Sequence, residues 1–112
     1  LAERYRPQLM LGSAGFDAHW YAPLAQMRLT VSGYANLTRS IKAMAEEFCG
    51  GKMAVALEGG YDLDALVNCA DAVCRVLLGD EDIPDPLGAP HPPQGRRVDE
   101  FIMQLKGLHR LA

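Results

Sequence analysis

A chain of 112 residues, 49% of them apolar, can build one small hydrophobic core and is too short for two domains. Its 11 basic and 14 acidic residues leave a net charge of −3 with no basic run, which argues against a nucleic-acid surface built on charge. No apolar stretch reaches the roughly 18 residues of a membrane span, and the early charges Glu3, Arg4 and Arg6 do not suit a signal peptide.

The chain opens at Leu1, and LAERYRPQLMLGSAGF reads as the end of a helix running into a strand. That is an odd place for a domain to begin, and it predicts a piece of something longer. Residues 8–13, QLMLGS, are a short apolar run and predict a buried strand. Residues 14–29 form a long loop with Pro23 in it, and loops of this length inside compact domains are often functional. Thr30 or Ser32 can cap the next helix, whose apolar positions are Tyr34, Leu37, Ile41, Met44, Ala45 and Phe48. It stops at Cys49-Gly50-Gly51.

Residues 52–57, KMAVAL, predict a second strand, apolar on both faces as in a covered parallel sheet. EGGYD follows directly. Asp62 or Asp64 can cap a second helix with Leu63, Leu66, Val67, Ala70, Val73, Cys74 and Leu77 inward and Gly79 at its end. Cys69 and Cys74 fall inside this helix as small core residues. The three cysteines have no CxxC spacing, so neither a disulfide framework nor a zinc knuckle is expected, and a reducing, cytoplasmic setting is. Residues 81–96 carry five of the seven prolines and predict an extended connector. Residues 97–112 hold a last helix with Val98, Phe101, Ile102, Leu105 and Leu108 on one side.

Strand, helix, strand, helix implies a right-handed crossover and a parallel α/β sheet. Two strands alone leave open edges, so more strands are expected beside them, from a missing segment or from another copy.

In open parallel sheets ligands bind beyond the carboxyl ends of the strands. Both strands end there in unusual loops, SAGFDAH and EGGYD, which places Asp17 and Tyr61 at one rim. Asp17 suits a metal ligand or a turn-forming residue. His19 can form a clamp with it or pack beside Trp20. Tyr61, after Gly59 and Gly60, can donate to a developing oxyanion or pack at the sheet edge. Glu58 can act as a base or a structural acceptor. Gly-Gly-Tyr lacks the spacing of a phosphate loop. Phe16, Trp20 and Tyr21 are rim aromatics able to line a channel. Nothing in the sequence brings His91 or His109 to that rim.

SAGFDAH, then Pro-Leu, LTVSGYANLT, LEGGYDLDAL and LLG, in this order across residues 7–80, resemble the carboxyl-terminal part of the zinc-dependent histone deacetylase family. The bacterial class II-like type, which includes deacetylase-like amidohydrolases and acetylpolyamine amidohydrolases, is the nearest in pattern. The resemblance implies a three-layer arginase/deacetylase-like α/β fold with a mostly parallel sheet, of which residues 1–80 hold the last strand–helix units. It implies a Zn²⁺ site of two aspartates and one histidine, with Asp17 the last of the three and His19 not a ligand. It implies Tyr61 as the catalytic residue that polarises the amide carbonyl, and Phe16 and Gly60 beside the substrate channel. Its substrates would be acetyl-lysine or acetylpolyamine. Relatives usually carry Asp where this chain has Ala22, which puts the anchoring of the loop in question. The other ligands and the histidine pair have no counterpart here, so the expectation is a fragment that is inactive and zinc-free alone. The alternative is a non-catalytic module that assembles with a second copy through its sheet edges, and a homo-oligomer is expected on either account.

Overall fold

The computed structural model describes residues 1–91 and 98–111. A single turn of helix, α1 (Ala2–Tyr5), leads into β1 (Met10–Ala14). Helix α2 (Val31–Cys49), strand β2 (Met53–Leu57) and helix α3 (Leu63–Leu78) follow, and α4 (Asp99–His109) comes last. The two strands pair in parallel, from Met10 opposite Met53 to Ala14 opposite Leu57.

Local chemistry sets the helix ends. Thr30 caps α2 by accepting from the Gly33 N–H at 3.0 Å, and Asp62 caps α3 by accepting from the Ala65 N–H at 2.9 Å. Both helices close on a glycine in the left-handed region, Gly50 at φ 61° and Gly79 at φ 100°.

The core lies where α2 and α3 meet and where the loop after β1 folds under them. Val31, Tyr34 and Ala35 of α2 bury against Cys69, Ala72, Val73 and Val76 of α3, with Phe16 from the loop. Small residues on this side let the two helices approach closely, and each larger apolar side chain removed from water contributes about 1.5–3 kcal/mol.

The apolar stripes expected from spacing are only partly the buried ones. On α3 the chain buries Ala65, Cys69, Ala72, Val73 and Val76, while Leu63, Val67, Cys74 and Leu77 are exposed. Cys74 is therefore not a core residue. On α2, Tyr34 and Ala45 are buried as expected, Leu37 and Met44 are exposed, and Ala35, Thr38 and Cys49 are buried instead. Large apolar residues on these helices face away from the α2–α3 contact, and hydropathy alone does not distinguish the two sides. The sheet behaves likewise. Leu11 of β1 is 76% exposed and Leu57 of β2 61%, so neither strand is covered on both faces by the described residues.

Residues 80–91 contain no helix or strand. They are nonetheless fastened. Ile83 and Leu87 pack on the core. Asp85 accepts from the Ser32 N–H at 2.9 Å and the Ser32 hydroxyl at 2.8 Å, and the Gly88 carbonyl accepts from Trp20 Nε1 at 2.9 Å. Burial raises the Asp85 pKa, but the hydrogen bonds from Ser32, Gly88 and Leu87 outweigh it and hold the carboxyl below its usual value. The rest of the expected connector, 92–97, lies outside the described residues.

Helix α4 buries none of its residues. Its contact with the rest of the chain includes the Arg4 guanidinium, which donates to the carbonyls of His109 and Arg110. Among the described residues no helix is long and apolar enough to cross a membrane.

Candidate active site

The ladder between the strands continues past their ends and knits the two carboxyl-end loops together. The Glu58 N–H donates to the Ala14 carbonyl at 3.0 Å, and the Phe16 N–H to the Gly59 carbonyl at 2.8 Å. Asp17 is thereby laid against the second loop. A Cβ on Gly15 would stand 2.9 Å from Asp17 Oδ1, and one on Gly59 would stand 3.2 Å from the same oxygen. Two glycines, one from each loop, make the space this carboxylate occupies.

Gly60 is needed for a different reason. Its φ of 139° disfavours a side chain, and a Cβ there would meet Leu66 Cδ1 at 3.2 Å and Phe16 Cβ at 3.3 Å. The chain then presents Tyr61, 76% exposed, directly before Asp62 caps α3. The sequence-expected convergence of GFDA and GGY is what the backbone does.

Asp17 occupies the second position of a tight turn closed by the His19 N–H on the Phe16 carbonyl at 3.2 Å. A short parallel bridge pairs His19 with Leu29, through Trp20 N–H to the Leu29 carbonyl and Leu29 N–H to the Ala18 carbonyl, both 2.9 Å. Gln26 and Arg28 on the return leg sit in the left-handed region, at φ 52° and 57°, uncommon for residues with a Cβ. Ala22 is buried and its N–H donates to the His19 carbonyl at 2.9 Å, so a backbone bond anchors the loop at this position.

His19 is not part of a clamp. Its ring is 1% exposed, and Nδ1 accepts from the Tyr21 N–H at 3.2 Å. Burial pushes its pKa down, opposed by the charges of Asp85 and Asp62. Among the described residues, no group of three or more His, Cys, Asp or Glu side chains can hold a metal ion. Phe16 is 3% exposed and meets Tyr34 edge-on with ring centroids 5.1 Å apart, so it supports the Asp17 turn from the core and does not stand at the open rim. Trp20 and Tyr21 pack edge-to-face at 4.4 Å. His91 lines a cleft with Trp20, Pro23 and Arg28, closer to this loop than its place in the connector suggested, and the His109 carbonyl lies against Arg4.

Two contributors were not visible in the sequence. Tyr34, legible only as an apolar helix position, donates its hydroxyl to the Gly15 carbonyl at 3.1 Å, and burial pushes its pKa up to about 12. Asp85 reaches α2 from 53 residues away, and no local pattern announces such a contact.

The loops carrying Asp17 and Tyr61 follow the carboxyl ends of two parallel strands, where open α/β sheets bind ligands, and comparison with known proteins makes the class specific. The histone deacetylase domain model matches residues 1–77. The chain is 36% identical over 98% of its length to Histone deacetylase 14, chloroplastic, of Arabidopsis thaliana, covering 27% of that protein. It is 39% identical over 69% of its length to the Histone deacetylase-like amidohydrolase of Pseudomonas aeruginosa, covering 20% of it. Among solved structures, the histone deacetylase Clr3 aligns with a TM-score of 0.67 at 33% identity, over 93% of this chain and 16% of that one. The HDA15 HD domain aligns at 0.60 and 42% identity, over 70% of this chain and 22% of that one. The chain belongs to the histone deacetylase family and has part of the arginase/deacetylase α/β fold. It spans 27% of the length of the first of these relatives and 20% of the second, so it matches only part of each.

Proposed function

We propose that this chain supplies the carboxyl-terminal share of a Zn²⁺-dependent amidohydrolase site that removes acetyl groups from acetyl-lysine or acetylpolyamine. The observation that carries this is the seating of the Asp17 carboxylate between Gly15 and Gly59, two residues before Tyr61. A half-buried carboxylate held by glycines suits one hard-oxygen ligand position. Catalytic zinc takes about three protein ligands, so residues beyond those described here complete the set and provide proton transfer. When bound, zinc would supply Lewis-acid polarisation of the substrate carbonyl. The exposed Tyr61 hydroxyl donates to the amide oxygen as negative charge develops there. Gly60 keeps the backbone close to the substrate stem, and Phe16 stiffens the turn beneath Asp17. The three free cysteines suit a reducing compartment such as the cytoplasm.

The test is zinc content and hydrolysis of an acetyl-lysine peptide and an N-acetylpolyamine by the full-length protein. Tyr61→Phe is expected to lower kcat about 100- to 1,000-fold with zinc retained. Unchanged turnover in Tyr61→Phe would remove the oxyanion role. A second reading, a non-catalytic module that self-assembles, draws support from the exposed Leu11 and Leu57 on the two-stranded sheet. A zinc-free full-length protein that forms stable oligomers and hydrolyses neither substrate would favour it.

A further inference from the structure

The residue that does most to shape the Asp17 turn is one the zinc chemistry does not use. His19 closes the turn through its N–H on the Phe16 carbonyl, and its carbonyl accepts the Ala22 N–H. Its ring, 1% exposed, uses Nδ1 to accept the Tyr21 N–H at 3.2 Å. Backbone and ring together pin residues 16 to 22, the segment that carries Asp17. The other ring nitrogen, Nε2, is buried and has no hydrogen-bond partner among the described residues. A buried imidazole that leaves one nitrogen unpartnered is a costly choice where an apolar side chain would fill the space, which points to a use for the nitrogen that is bonded.

We propose that His19 is the positioning residue for Asp17, acting through Nδ1 as a fixed acceptor for the Tyr21 N–H, with the ring proton on Nε2. This deepens the proposed zinc site and rests on Asp17 being a ligand. The turn places Asp17 two residues before the imidazole, so loss of the Nδ1 acceptor frees the Tyr21 N–H and lets the 19–22 turn rotate. The carboxylate then loses the fixed direction that metal binding needs. An asparagine at this position sets its side-chain oxygen about where Nδ1 lies. A glutamine reaches instead toward Nε2, and a leucine only fills volume.

The experiment measures the zinc dissociation constant of the full-length protein by chelator competition, well below each variant's melting temperature. His19→Leu is expected to bind zinc about 10- to 100-fold more weakly, with His19→Gln similarly weakened. His19→Asn is expected to stay within about threefold of the parent, a rescue that a purely space-filling role would not produce. If His19→Asn is as weak as His19→Leu, or if His19→Leu binds zinc like the parent, the inference is overturned. Asp17→Ala separates the two levels. Zinc binding that survives Asp17→Ala overturns the ligand assignment, and the inference with it. Zinc binding lost in Asp17→Ala but kept in His19→Leu overturns the inference alone. Should His19→Leu fail to fold, the Asn and Gln variants make the same comparison. ¹⁵N spectra of the unmodified protein give an independent readout: an unprotonated Nδ1 and protonated Nε2 at neutral pH are expected, and the opposite tautomer overturns the proposal.

Discussion

The loop between β1 and α2 and the outer faces of α3 and α4 are similar in apolar content and opposite in how they are held. Phe16, His19 and Ala22 are all under 10% exposed, and backbone bonds from both ends of the loop cross it. Leu63, Val67 and Leu78 on α3, and Phe101, Met103 and Leu108 on α4, are each more than half exposed. A loop is normally the mobile part and a helix the rigid one. Here the loop is held by backbone bonds across it and by the His19 ring, while the helices carry apolar surface that nothing among the described residues covers. Order in this chain follows polar contacts made across it, and apolar side chains mark faces available for burial without saying where burial occurs.

The largest expected effect contrasts the two regions directly. Phe16→Ala should destabilise the chain by about 3–5 kcal/mol, whereas Leu63→Ala should change it by less than about 0.5 kcal/mol, both read by urea unfolding of the 112-residue chain. Equal effects would mean that α3's outer face is buried in solution. Next, Gly60→Ala forces a side chain into φ 139° against Leu66 and Phe16. A cost of about 1–3 kcal/mol is expected, and on the proposed function the full-length protein should also lose turnover.

A smaller effect should come from the strap. The folded Asp85 carboxyl has a lowered pKa, so its contribution is complete above the unfolded value of about 3.9 and is lost as pH falls through the folded one. Asp85→Asn should flatten the acid limb of the stability profile and speed amide exchange at Ser32. An unchanged acid limb would leave the strap without a role in stability. The smallest effect is chemical. Burial pushes the Cys69 thiol up to about 12, so at neutral pH a thiol reagent should label exposed Cys74 and leave Cys69 unmodified until the chain unfolds. Equal labelling rates would show that α3 opens readily.

Much of this was legible because it is written locally. Thr30, Asp62, Gly50 and Gly79 cap their helices by chemistry within a few residues, so element order and ends could be read directly. The meeting of GFDA with GGY was also readable, because parallel strands carry their carboxyl ends to one edge whatever lies between. The buried helix sides were not. Val73 was read as inward and is buried, but Leu63, Val67 and Cys74 satisfy the same spacing as Ala65, Cys69 and Val76, and only the packing of α2 on α3 selects between the two stripes.

The sequence by itself determined the parallel strand–helix order, the capped helices and the meeting of the loops after β1 and β2 at one edge, since each depends on residues close in the chain or on strand direction. The tertiary structure alone decided that His19 is buried, that Phe16 supports the turn from below, and that Asp85 fastens a proline-rich strap to α2. Those outcomes depend on which surfaces exclude water together, and a one-dimensional pattern does not encode that when two faces of a helix are equally apolar.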